Sequence, residues 1–183
     1  MPAEVAVAAP PEGAAAAPPE VIEGDGLLRF SAIGDRDFAL VARADGSLSR
    51  VDGAFELDGR PVVVHVAASW CRPCARELAS FEALVGQVPR ALLVMAEDVG
   101  GPAGLAAAAE LLADRAEPSS RAWPAGLELR ADPAWAWAHW LGRDALPLTA
   151  VIDHRGAVTF LASGPLDADA AARVASLARA EGP

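Results

Sequence analysis

Lysine, tyrosine and asparagine are all absent from this 183-residue chain, so its 15 basic residues are all arginine. That skew fits a GC-rich genome and carries no functional meaning. The basic residues are outnumbered by 25 acidic ones, for a formal net charge of −10. A chain of that sign argues against a nucleic-acid partner, because phosphate binding needs clustered positive charge. No apolar stretch reaches the ~18–20 residues that cross a membrane. Only two cysteines are present, enough for one disulfide at most. That count excludes a disulfide-stapled secreted scaffold and a four-cysteine metal knuckle. Core-building side chains are fewer than the 53% hydrophobic content implies, since 44 of those residues are alanine. The larger apolar residues still recur in blocks long enough for one core, so the length reads as one domain with a tail.

The tail is residues 1–24, made of Ala, Pro, Glu and Gly with a few Val and Ile. It lacks the leucine and aromatic content that folding needs and is expected to be disordered, leaving residues 25–183 as the domain. It has no basic opening segment, and Glu4 and several prolines interrupt any apolar stretch, so it does not read as a signal peptide. The corresponding expectation is a cytoplasmic protein. The alternative is an extracytoplasmic one whose upstream signal or anchor is missing.

Residues 37–42 and 48–51 read as two strands joined by the turn Ala44-Asp45-Gly46-Ser47. Residues 61–67 are near-continuously apolar, as a central strand buried on both faces would be. A helix is expected over 72–85, with Pro73 in its first turn, where a missing N–H costs little. A second buried strand follows at 91–96 and an alanine-rich helix at 102–116. Residues 127–130 suggest a short edge strand. Asp132 and Pro133 suggest the N-cap and first residue of a helix to about Leu141. Residues 148–153 and 157–161 form a hairpin around the turn at 154–156, and Asp167 caps a last helix to about Ala180. The order implies right-handed parallel crossovers first and an antiparallel pair later, hence an α/β fold with a mixed central sheet and helices on both faces.

The segment with the most chemical content is Trp70-Cys71-Arg72-Pro73-Cys74, which holds both cysteines. Two thiols two residues apart can close a small disulfide ring and open it again. A strand that delivers such a pair to a helix N-terminus gives the context of a redox centre.

Four blocks of sequence resemble the thioredoxin superfamily, and within it the TlpA/ResA-like thiol-disulfide oxidoreductases. Residues 37–40 with 44–46 are similar to the N-terminal β-hairpin extension of that group. Residues 57–64, Leu-Asp-Gly-Arg-Pro-Val-Val-Val, resemble its L-x-G-K-P-V-V-V lead-in. Residues 68–77, Ala-Ser-Trp-Cys-Arg-Pro-Cys-Ala-Arg-Glu, resemble A-x-W-C-x-P-C-x-x-E. Residues 146–153, Leu-Pro-Leu-Thr-Ala-Val-Ile-Asp, with Gly156, resemble P-T-x-x-x-I-D-x-x-G. The likeness spans residues 36–180. It departs at His65, where the family has asparagine and thioredoxins a buried aspartate. It departs also at Ala79, where many members have a helix-kinking proline, and at Leu148, which replaces a threonine.

The resemblance implies a thioredoxin fold and thiol-disulfide exchange with no cofactor beyond the Cys71–Cys74 pair. Cys71 is the expected nucleophile. The helix N-terminus and the neighbouring Arg72 favour its thiolate, lowering the pKa from ~8.5 into or below the neutral range. Cys74, one turn into the helix, is expected to be more buried and to resolve the mixed disulfide. Arg72 and Pro73 are expected to tune the potential, and Trp70 to shape the substrate surface. Pro147 resembles the cis-proline facing the disulfide, with the backbone of Leu146 pairing with substrate. His65 lies six residues before Cys71 on an apolar strand. It reads either as the proton acceptor for Cys74 or as a core histidine bonded to a backbone carbonyl. Glu77 matches a family glutamate associated with proton transfer; on the residues alone it reads as a solvated helix-face carboxylate. Trp135, Trp137 and Trp140, with His139, read as helix packing on one face and an exposed patch on the other.

The partners implied are protein thiols or disulfides and a second redox protein that supplies or accepts electrons, with this chain a monomer. The rival class is a binding module on the same fold: a scaffold with an idle disulfide, or a metal (copper) chaperone using the cysteines with one or two histidines, for which the spacing of His139 and His154 gives no clear placement. A peroxidase would need T-x-x-C, and position 68 is alanine.

Overall fold

The computed structural model describes residues 29–30, 38–116 and 122–179; the expected tail at 1–24 lies outside them. In chain order the elements are β1 (Arg29–Phe30), β2 (Phe38–Ala42), β3 (Leu48–Asp52), β4 (Phe55–Glu56), β5 (Val62–Ala67), α1 (Arg72–Val85), β6 (Ala91–Met95), α2 (Pro102–Ala116), β7 (Leu127–Ala131), α3 (Ala136–Trp140), β8 (Leu148–Ile152), β9 (Val158–Ser163) and α4 (Ala168–Arg179).

Branched and apolar residues suit β5 to the interior of a seven-stranded sheet ordered β3-β2-β7-β6-β5-β8-β9, where it lies between β6 and β8. All six of its residues are buried. It runs parallel to β6 and antiparallel to β8, and β6 runs parallel to β7. Side chains alternate between the sheet's faces. Val63 and Ala67 of β5 pack with Leu78 and Phe81 of α1, Leu105 and Leu112 of α2, and Val174 of α4. Val62, Val64 and Val66 pack on the other face with Phe55, Leu57 and, from α3, Trp137 and Ala138. Helices thus cover both faces of a mixed sheet, as expected. Asp167 caps α4 by accepting from the Ala170 N–H at 2.8 Å. The β2–β3 turn closes with Arg43 N donating to the Ser47 carbonyl at 2.8 Å and Gly46 at φ +80. A Cβ at Gly46 would stand 2.5 Å from that of Ala122.

Three local expectations are corrected. First, β7 is not an edge strand: it lies between β2 and β6, and all five of its residues are buried. Its polar residues pair with one another and with neighbours instead of facing water. Arg130 Nε donates to Glu128 at 2.6 Å, Arg90 donates to the other Glu128 oxygen at 2.8 Å, and Arg130 reaches the Gly53 carbonyl at 3.0 Å. Second, α3 starts at Ala136, not after Asp132. Asp132 caps it from outside, accepting from Ala136 N at 2.8 Å and Trp137 N at 2.9 Å. Third, β1 and β4 form a separate antiparallel pair, where no strand was expected. No helix among the described residues is long and apolar enough to cross a membrane.

Candidate functional site

The chain leaves β5 at Ala67 and turns sharply, with Cys71 N donating to the Ala68 carbonyl at 3.0 Å. Cys71 is the N-cap of α1, with extended backbone at φ −79 and ψ 100. Its sulfur accepts from the Cys74 N–H at 3.2 Å. It is also bonded to Cys74, with S–S 2.02 Å and Cα–Cα 5.3 Å. Cys71 is 5% exposed and Cys74 is fully buried, so the first cysteine is the one an incoming group can reach. The N–H aimed at the Cys71 sulfur is one of the donors that a helix start leaves without an intrahelical partner. When the disulfide opens, that donor and the helix dipole favour a negative sulfur there. Arg72 is exposed and Pro73 half-buried at the same turn.

The Leu146–Pro147 peptide bond is cis, as the resemblance implied. Leu148 of β8 pairs with Val66 of β5, so Pro147 falls level with Ala67, at the end of the sheet from which the cysteine turn departs. Leu146 packs against the cores on both faces of the sheet.

His65 is fully buried. It pairs across the strands with Thr149, whose hydroxyl oxygen lies 3.0 Å from Nδ1. Its ring stacks on Phe81 of α1 at 4.6 Å between centroids. Nε2 has no hydrogen-bond partner among the described residues. Burial lowers the imidazole pKa from 6.5 to about 4, so the ring is neutral at physiological pH. The partner is therefore a hydroxyl, not the backbone carbonyl of the packing alternative.

Glu77 departs from its reading as a solvated carboxylate. It is 3% exposed, and Oε1 accepts from the Leu166 N–H at 3.0 Å. Oε2 has no partner among the described residues, and burial raises the carboxyl pKa above its ordinary value. This side chain ties α1 to the segment leading into α4.

Trp70 is 40% exposed and stacks on Trp135 with centroids 6.2 Å apart and planes 20° apart. Trp137 is buried edge-on against Phe55 at 5.5 Å, and Trp140 stands edge-on to Trp137 at 6.0 Å. The tryptophan cluster thus divides between core and rim. Glu97, just past β6, was not anticipated in the sequence. Its two oxygens accept from the Ser69 N–H at 2.6 Å and the Ser69 hydroxyl at 2.8 Å, which pins the turn before Cys71. No spacing signal could have revealed it, since the pair is separated by 28 residues. Thr149 was likewise missed as a supporting residue.

Central strand, capped cysteine pair and cis-proline together define a thioredoxin-fold domain with a C-x-x-C disulfide at the start of its first long helix. No family model matches the chain, and no curated protein does. Solved structures do match. The chain is similar to dsbF of Mycobacterium tuberculosis, determined in mixed oxidised and reduced forms, at 19% identity over 76% of this chain and 93% of that chain, with a TM-score of 0.52. It is also similar to a Chlorobium tepidum protein assigned as the thiol:disulfide interchange protein DsbE, at 22% identity over 79% of this chain and 95% of that chain, TM-score 0.51. A Neisseria meningitidis protein assigned as a thioredoxin matches at 12% identity over 79% of this chain and 91% of that chain, TM-score 0.51. At these identities the likeness is one of fold.

Proposed function

We propose that this protein is a thiol-disulfide oxidoreductase acting on protein substrates through Cys71 and Cys74. The observation that carries this reading is the disulfide itself: the sulfur of the less buried cysteine caps α1, the fully buried cysteine lies one turn inside, and a cis-proline sits at the same end of the sheet.

In the reducing direction the Cys71 thiolate attacks one sulfur of a substrate disulfide. A Cys71–substrate disulfide forms, and the other substrate sulfur leaves as a thiolate. Cys74 then loses its proton and attacks the Cys71 sulfur. The internal disulfide forms, the second substrate thiolate leaves, and two electrons have passed from protein to substrate. A second redox protein restores the dithiol. The oxidising direction is the same path in reverse. His65, stacked on Phe81 in the core that also holds Cys74 and kept neutral by burial, is the group we assign to receive the Cys74 proton. The rival metal-binding reading has less support, since the described residues contain no group of three or more His, Cys, Asp or Glu placed to hold an ion.

The test is catalysed reduction of insulin by dithiothreitol. The wild-type chain is expected to accelerate it, Cys71→Ser to abolish the acceleration, and Cys74→Ser to accumulate the mixed disulfide. A rate no greater than that of dithiothreitol alone would overturn the proposal. The reduction potential gives the direction: about −270 mV marks a reductant and about −120 mV an oxidant. His65→Ala is expected to slow resolution of the mixed disulfide more than its formation; equal slowing would leave His65 a packing role only.

A further inference from the structure

Trp135 is the only non-glycine residue with a left-handed backbone among the described residues, at φ 56. For a bulky side chain that conformation is strained, and it persists only where the surroundings over-determine it. They do so here. The Trp135 N–H donates to the Asp132 carbonyl at 3.2 Å. The buried Asp132 carboxylate holds the next two N–H groups, and Trp137 is locked into the core against Phe55. A glycine would make this turn without strain. What tryptophan adds is its ring, and the ring lies on Trp70, the residue before Cys71.

The stack also lies beyond the ends of the interior strands β5 and β7. Cys71 and Cys74 belong to the core on the α1 face, whereas Trp135 packs against the core on the α3 face. Trp70 and Trp135 therefore continue the rim of the disulfide toward the opposite face, and half-buried Leu146 stands beside the cis-proline at the same end. Trp70 directly precedes Cys71 in the chain, so a polypeptide whose sulfur reaches Cys71 meets apolar ring surface if it runs toward this side of the disulfide. In extended chain each residue advances ~3.3 Å, so the 6.2 Å between the two ring centres corresponds to about two residues of substrate. Aromatic side chains pair best with such a surface.

Resting on the oxidoreductase reading above, we propose that Trp135 is a specificity-determining residue. With Trp70 it forms an aromatic seat that favours extended substrates carrying an aromatic side chain next to the reactive cysteine.

The test uses the full chain, reduced, with two peptides identical except for phenylalanine or glycine beside a single cysteine. Each is presented as its mixed disulfide with thionitrobenzoate, and release of the coloured thiolate is followed by stopped flow. Wild type is expected to react roughly two- to ten-fold faster with the phenylalanine peptide, the range set by aromatic pairing. Trp135→Ala is expected to bring that ratio to about one, and Trp135→Phe to retain most of it. If Trp135→Ala does not fold, Trp135→Gly removes the ring while relieving the backbone, and the same ratio is read. A wild-type ratio of one, or a ratio that survives loss of the ring, overturns the seat. So does self-association of wild type that is lost with the ring, which would make the stack an interface between copies of the chain. Failure of the underlying reading looks different: wild type would then react with neither peptide faster than free glutathione does.

Discussion

Two buried titratable side chains on the α1 side of the sheet carry opposite pH signatures. His65 has a folded pKa of about 4 against an ordinary 6.5. Above pH 6.5 neither folded nor unfolded chain protonates it. Between 6.5 and 4 the unfolded chain takes a proton that the folded chain refuses, so the stability contribution falls as pH falls, by roughly 3 kcal/mol in all. Urea titrations across that window should show the loss in wild type and its absence in His65→Asn. Glu77 runs the other way. Its folded pKa lies above the ordinary 4.5, so its contribution is fully present below 4.5 and is lost as pH rises through the folded value. Glu77→Gln keeps an oxygen for the Leu166 N–H and removes the charge. It should unfold at a higher temperature than wild type at neutral pH, with the gain vanishing below 4.5. A gain that persists in acid would mean packing, not ionisation, is responsible.

At the level of elements, the site depends on two short carboxylate clasps. Glu97 grips Ser69 at the end of β5, and Asp132 grips the first two N–H groups of α3. Removing an N-cap side chain costs on the order of 1–2 kcal/mol. Asp132→Ala should lower the urea midpoint accordingly without changing the slope of the transition, and an unchanged midpoint would show that Trp137 alone anchors the turn. These clasps mark where reading the sequence stopped. The strand over 61–67 and the helix over 72–85 were legible because their signals are local: a run of valine, then a proline in the first turn of a helix. The start of α3 was misplaced because Asp132-Pro133 imitates a cap directly followed by helix, while the chain inserts a left-handed tryptophan first. Glu77 and Glu97 were misjudged or missed because carboxylates read as solvated until the segment that covers them is known.

For the whole molecule, the mixed sheet with helices on both faces followed from the alternation of strands and helices, but the place of β7 inside it did not. Glu128 and Arg130 made that strand look like an edge. Its interior place became visible only once Arg90 and the 53–56 segment were seen to close over those charges. The cis-proline followed from resemblance and the cysteine pair from spacing; the way β8 carries the one to the other is a matter of register, which no linear motif encodes. The cap that Cys71 provides to α1 has a further consequence. The disulfide spans only three positions of chain, so closing it restrains the unfolded ensemble little beyond that loop. The difference in unfolding free energy between the oxidised and reduced protein is therefore set mainly in the folded state, by how well the helix start holds a free thiolate. By closure of the thermodynamic cycle, that difference equals the gap in potential between folded and unfolded chain, about 1.4 kcal/mol for each 30 mV. A pair of melting curves thus acts as an electrode. If the dithiol form melts higher, the fold pulls electrons in and the protein is built to oxidise; if the disulfide form melts higher, it is built to give electrons away.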